Sequence, residues 1–138
     1  MRSSSLARDY VQRAHVRLKT LDLLFDEESW ADVVRESQEA VELALKGLLL
    51  SRGIDPPRVH DVSDVLLAER SRLPDALQEE VERLAEASRQ LRRDRELAFY
   101  GAEDLTPTGF YSRGDAETAR DLARMTVELV LPHVPDRS

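Results

Sequence analysis

Apolar residues in this chain recur at steps of three and four, and no convincing stretch repeats at steps of two. Near the C-terminus Ala116, Ala119, Ala123, Val127, Val130 and Val134 keep that spacing over about five turns. A helix needs this period to put its apolar side chains on one face. A half-buried strand would need alternation, and no β-branched run supplies it. Glycine is scarce, and Ala, Leu, Glu and Arg, all helix formers, dominate. The pattern predicts an all-α protein.

The spacing predicts a first helix over about Ser4 to Phe25, with Leu6, Tyr10, Ala14, Leu18, Leu21 and Phe25 inward. The acidic turn Asp26-Glu27-Glu28-Ser29 supplies caps and negative charge for a second helix, about Ser29 to Arg52. There Trp30, Val33, Val34, Val41, Leu45, Leu48 and Leu49 form the buried face. Ser37, Ala40 and Ala44 are small enough for another helix to approach closely. Gly53 stands where a left-handed cap belongs, and Pro56 and Pro57 forbid continuation. A short third helix is expected from about His60 to Arg70. Pro74 opens a fourth, carrying Leu77, Val81, Leu84, Ser88 and Leu91. From Gly101 to Gly114 the period fails and a long loop is expected. Ser112 and Asp115 resemble a capping box ahead of a fifth helix that reaches about Val134. Together these predict one domain over residues 1–138, an up-and-down bundle of four main helices plus one short helix.

Composition removes several function classes. No cysteine is present, so disulfides, thiol nucleophiles and thiolate-bound metals are excluded. No apolar run approaches the roughly 18 residues of a membrane span, and MRSSSLARDY is too polar for a signal peptide. A cytoplasmic protein without a membrane partner is expected. His15, His60 and His133 are not spaced as a metal pair, so neither metal nor cofactor is expected. His60, after the Pro-Pro turn, reads as a capping or structural residue. The net charge of −7 argues against coating a nucleic-acid backbone broadly.

The charge is segregated, however. Between Arg89 and Arg95 stand four arginines and one acid, Asp94. On a helical wheel Arg95 returns to about 20° from Leu84, essentially in the apolar stripe, with Arg92 beside it and Arg93 pointing away. A guanidinium stays charged at any physiological pH. An arginine on a core line must therefore pair with a carboxylate near the bundle end, line a cleft shared between subunits, or reach solvent at the helix end. Arg92, Arg93, Arg95 and Tyr100 are the candidate nucleotide- or RNA-binding residues.

The run ADVVRESQEAVELALKGLLLSRG, Ala31 to Gly53, resembles the second helix of HEPN domains. The following IDPPRVHDVSDVLL matches their connection and short helix. RELAFYGAEDLTPTGFYSRGDAETA is similar to the ordered loop and last helix of their small stand-alone prokaryotic members. The resemblance implies a bundle that forms a homodimer, often beside a minimal nucleotidyltransferase partner in a toxin–antitoxin-like or defence pair. It also implies, in many members, metal-independent RNA cleavage. That activity rests on an Arg, a polar residue and a His four to six positions after the Arg, with two copies forming one cleft. The arginine would stabilise phosphoryl charge and the histidine would move the 2′-hydroxyl proton.

The chain departs from this signature at the histidine. Four intervening residues after Arg95, or six after Arg93, lead to Tyr100. A phenol with a pKa near 10 exchanges protons poorly at neutral pH. The expected function is therefore a non-catalytic or weakly catalytic homodimer that binds a nucleotide, RNA or a nucleotidyltransferase partner. The competing expectations are a ribonuclease toxin using Tyr100 in a variant site, and a protein-interaction module with no nucleotide ligand.

Overall fold

The structure, a computed structural model, describes residues 2–58, 61–100 and 110–134; at residues 2, 3 and 93–100 it describes the backbone only. Helix α1 spans Arg2–Asp26 and α2 Trp30–Ser51. A short α3, Ser63–Ala68, runs into a 3-10 turn at Arg70–Arg72. Next come a single-turn α4, Asp75–Gln78, and the long α5, Val81–Tyr100. Helix α6, Arg113–Val130, ends in a 3-10 turn at Leu131–His133. No strand occurs among the described residues.

Helix α2 is the axis of the bundle and packs against α1, α6 and α5. Its residues Val33, Val34, Ala40, Val41, Ala44, Leu45, Leu48 and Leu49 are almost completely buried. A close helix approach lies at Gly47, which the sequence pattern does not single out. A Cβ there would lie 2.6 Å from Val11 Cγ2 and 3.0 Å from the Ala7 carbonyl oxygen. Ser37, Ala40 and Ala44 are buried inside the chain itself. They serve packing within the chain and offer no surface to a second copy.

The predicted inward residues of α5 and α6 are buried: Leu84, Ser88 and Leu91 on one, Ala116, Ala119, Ala123, Val127 and Val130 on the other. Helix α1 needs a correction. Leu6 is exposed, and Ala7 and Val11 join Ala14, Leu21 and Phe25 inside. The shift is confined to the first turns, where Ala7 and Val11 lie against Gly47. Three boundaries also differ. The third helix starts at Ser63 and tightens into the 3-10 turn. The fourth is broken at Glu79 and Glu80, where the Glu80 amide bonds the Leu77 carbonyl, three residues back. Leu77 and Val81, four apart, stay buried across the break, so the apolar line continues. The last helix stops at Val130 because Pro132 cannot sit in an α-helix interior.

The helix ends show which sequence signals work. Ser112 and Asp115 form the expected capping box, with the Asp115 amide donating to Ser112 Oγ at 3.2 Å and the Ser112 amide to Asp115 Oδ2 at 2.9 Å. Gly53 is left-handed, with φ 72°, and the Gly53 and Ile54 amides bond the Leu50 and Leu49 carbonyls. Ser29 stands at the N-cap of α2, but its hydroxyl donates to Asp32 Oδ2 at 2.7 Å instead of accepting from the backbone. The same crossed backbone pattern closes α1: the Glu28 and Ser29 amides bond the Phe25 and Leu24 carbonyls. Here the left-handed residue is Glu28, at φ 59°. A side chain in that conformation costs roughly 1–2 kcal/mol. Glu28→Gly is therefore expected to stabilise the protein by about 1 kcal/mol, even after glycine's larger unfolded-state entropy. A lower melting temperature for the variant would contradict this.

Candidate functional site

The three-residue turn between α1 and α2 makes those helices antiparallel. At the far end of α2, Arg52 Nε donates to the Arg72 carbonyl at 2.8 Å, so the chain re-enters there before α5 begins. Helix α5 then runs back along α2. Its 20 residues span about 30 Å. Its second half, with Arg92, Arg93, Arg95 and Tyr100, therefore reaches the end of the bundle that holds the α1–α2 turn and the start of α6. The helix is unbroken through Tyr100, so Arg95 keeps its register one turn beyond the fully buried Leu91. Arg92 is half-buried. The side chains of Arg93, Arg95 and Tyr100, and all of His60, lie outside the described residues.

At the same end Phe25 and Trp30 meet edge to face, with centroids 5.0 Å apart. The Arg120 guanidinium sits 3.8 Å from the Phe25 ring centroid, and that of Arg113 at 5.1 Å from Phe25 and 5.7 Å from Trp30. Asp22 Oδ1 accepts from Arg120 at 3.4 Å and from Arg124 at 3.0 Å. Sequence reasoning passed over this cluster, since α1 and α6 are far apart in the chain. Its arginines are engaged by rings and by Asp22, so it reads as a clasp of α6 onto the α1–α2 turn.

Two polar groups adjoin α5. Ser88, nearly fully buried, accepts from the Val62 amide at 3.0 Å and donates to Asp61 Oδ1 at 3.2 Å, which also accepts from the Ser63 amide at 2.9 Å. Partial burial alone would raise the Asp61 pKa. Hydrogen bonds from the Ser63 hydroxyl and amide and from Ser88, together with the charge of Arg89, outweigh it and hold the carboxyl below its ordinary value. The second group lies on α2. Glu42 Oε2 accepts from Lys46 Nζ at 2.8 Å and Oε1 from Gln38 Nε2 at 3.0 Å. Lys46 and Glu42 side chains are only 15% and 13% exposed, so the pair sits under cover.

A groove of about 610 Å³ runs between α5 and α6. Ala87, Leu122 and Met125 contribute apolar surface and Glu82, Glu86 and Asp121 acidic groups. It flanks the first half of α5, away from Arg92, Arg93 and Arg95; Arg83 also lines it and donates to Glu80 Oε2 at 2.7 Å. His15 is exposed on α1 and His133 belongs to the last turn, at the opposite end of the bundle from Tyr100. No group of three or more metal-ligating side chains occurs among the described residues, and none of the described helices is long and apolar enough to cross a membrane.

An all-α bundle organised on a central second helix, with arginines concentrated in the second half of α5, is the class of protein these features define. The family model of the HEPN domain matches residues 7–133. The chain therefore belongs to the HEPN domain family. No curated protein and no solved structure matches it.

Proposed function

We propose that this HEPN domain works as a homodimer that binds a nucleotide, RNA or a minimal nucleotidyltransferase partner through a cleft at the second half of α5, and that it does not cleave RNA. The continuity of α5 carries this reading. It keeps the backbone position of Arg95 in register with Leu84 and Leu91 while taking it toward the end of the bundle. Arg92 and Arg93 flank it. Family membership supports a nucleotide- or RNA-related role. The want of a histidine at Tyr100, with His15 exposed and His133 at the far end, favours binding over proton transfer.

The test uses a short fluorescein-labelled oligoribonucleotide in magnesium-free buffer. Polarisation should rise with wild-type protein, and the RNA should remain intact. Arg95→Ala should weaken binding by roughly tenfold, the loss of one charge-assisted contact of about 1.4 kcal/mol. Robust cleavage by the wild type, abolished in Tyr100→Phe, would instead establish a ribonuclease that works through the phenol. Absence of any nucleotide or RNA binding would leave the chain a protein-interaction module.

A further inference from the structure

Helix α1 carries apolar side chains on its outer face. Leu6, Val16 and Leu23 are 40%, 54% and 61% exposed, three of the four large apolar side chains left exposed among the described residues. Val16 and Leu23 lie within about 20° of each other on the helix and form a ridge. Arg13 and Lys19 flank that ridge, each about 60° away and on opposite sides. Arg13 holds Asp9 at 3.7 Å in a half-exposed pair, a contact of little strength in water. Lys19 is exposed and makes no hydrogen bond or ion pair among the described residues.

The groove between α5 and α6 is the counterpart of the ridge. Ala87, Leu122 and Met125 give it apolar surface, and its 610 Å³ takes several aliphatic side chains. Most of its charges are already matched: Arg83 by Glu80 at 2.7 Å, Glu86 by Arg89 at 3.3 Å and Glu82 by Arg70 at 3.6 Å. Asp121 is exposed and makes no hydrogen bond or ion pair among the described residues. The groove thus sets an unmatched carboxylate beside apolar surface, and α1 sets an unmatched ammonium beside an apolar ridge.

Helix α6 stands between the two. On one side its Arg120 and Arg124 reach Asp22 of α1, and on the other its Leu122 and Met125 line the groove with α5. Within one chain α6 keeps ridge and groove apart, but a twofold axis crossing α6 brings each onto its counterpart in a second copy.

We infer that this face is a self-docking surface. The Val16–Leu23 ridge of each copy fills the α5–α6 groove of the other, and Lys19 pairs with Asp121 of the partner subunit. Twofold symmetry makes the contact twice. Burial of the ridge drives association, and the charge pair fixes its register. The inference rests on the homodimer reading and names the surfaces that form it.

The test exchanges the two charges. Both side chains are exposed, so Lys19→Glu and Asp121→Lys should fold as the wild type does. In sedimentation at micromolar concentration the wild type should be a dimer. Each single variant sets like charges against each other at both contacts, and its dimer should be roughly 10- to 100-fold weaker. Mixing the two variants restores opposite charges at both contacts, so a one-to-one heterodimer of near wild-type affinity should form. A general loss of stability would not be rescued in this way. Single variants as dimeric as the wild type, or a mixture no more associated than its components, would overturn the self-docking surface and leave the homodimer to another face. A monomeric wild type would overturn the homodimer reading along with it.

Discussion

Gly47→Ala is expected to destabilise the protein by about 1–3 kcal/mol, although the change would favour most helices. Alanine in place of glycine gains roughly 0.5–1 kcal/mol within a helix. Here the added Cβ would lie 2.6 Å from Val11 Cγ2 and 3.0 Å from the Ala7 carbonyl oxygen. The first contact cannot be relieved easily, because valine in a helix has one strongly preferred rotamer. The second involves backbone, so α1 would have to move as a unit. Overpacking of this kind costs about 1–3 kcal/mol and exceeds the propensity gain. Gly47→Leu should separate α1 from α2 and abolish cooperative unfolding. Denaturant melts check both; an alanine variant at least as stable as the wild type would show that the α1–α2 contact tolerates a methyl group.

Ser88→Ala is expected to cost about 1–3 kcal/mol at neutral pH, because the buried Val62 amide loses its acceptor and Asp61 a donor. Part of this cost should depend on pH. The Asp61 pKa is lowered in the folded protein. Its contribution is therefore present above the unfolded carboxyl value and is lost as the pH falls through the folded one. The stability gap between wild type and variant should narrow in acid below the ordinary carboxylate range. The part due to the Val62 amide should remain. Paired melts at neutral and acidic pH read this directly, and a gap of constant size would mean that the Asp61 charge is not coupled to Ser88.

Ser88 also shows why a polar residue in an apolar stripe is hard to interpret from sequence. Its step of four from Leu84 placed it inward, as observed, but its partners come from the connection before α3, more than 25 residues away. Glu42 and Lys46 illustrate the same difficulty. As an i,i+4 pair they read as an ordinary solvated couple, and only the packing of α2 shows them to be covered. The Phe25–Trp30–Arg113–Arg120 clasp is likewise assembled from three helices.

By itself the sequence determined the helical class, the inward faces of α5 and α6, the left-handed cap at Gly53 and the capping box at Ser112. Each of these depends on residues within a turn or two of one another, through the 3.6-residue period, a missing Cβ or a short hydrogen bond. It also determined the concentration of arginine toward the end of α5. Tertiary structure decided the rest: that Gly47 lies at a close helix contact, that α1 turns Leu6 outward, and that Ser37, Ala40 and Ala44 are buried within the chain itself. It also decided that Gln38, Glu42 and Lys46 are covered. Those outcomes depend on where neighbouring helices lie, and a residue's burial is a property of what packs against it, which its own spacing along the chain does not contain.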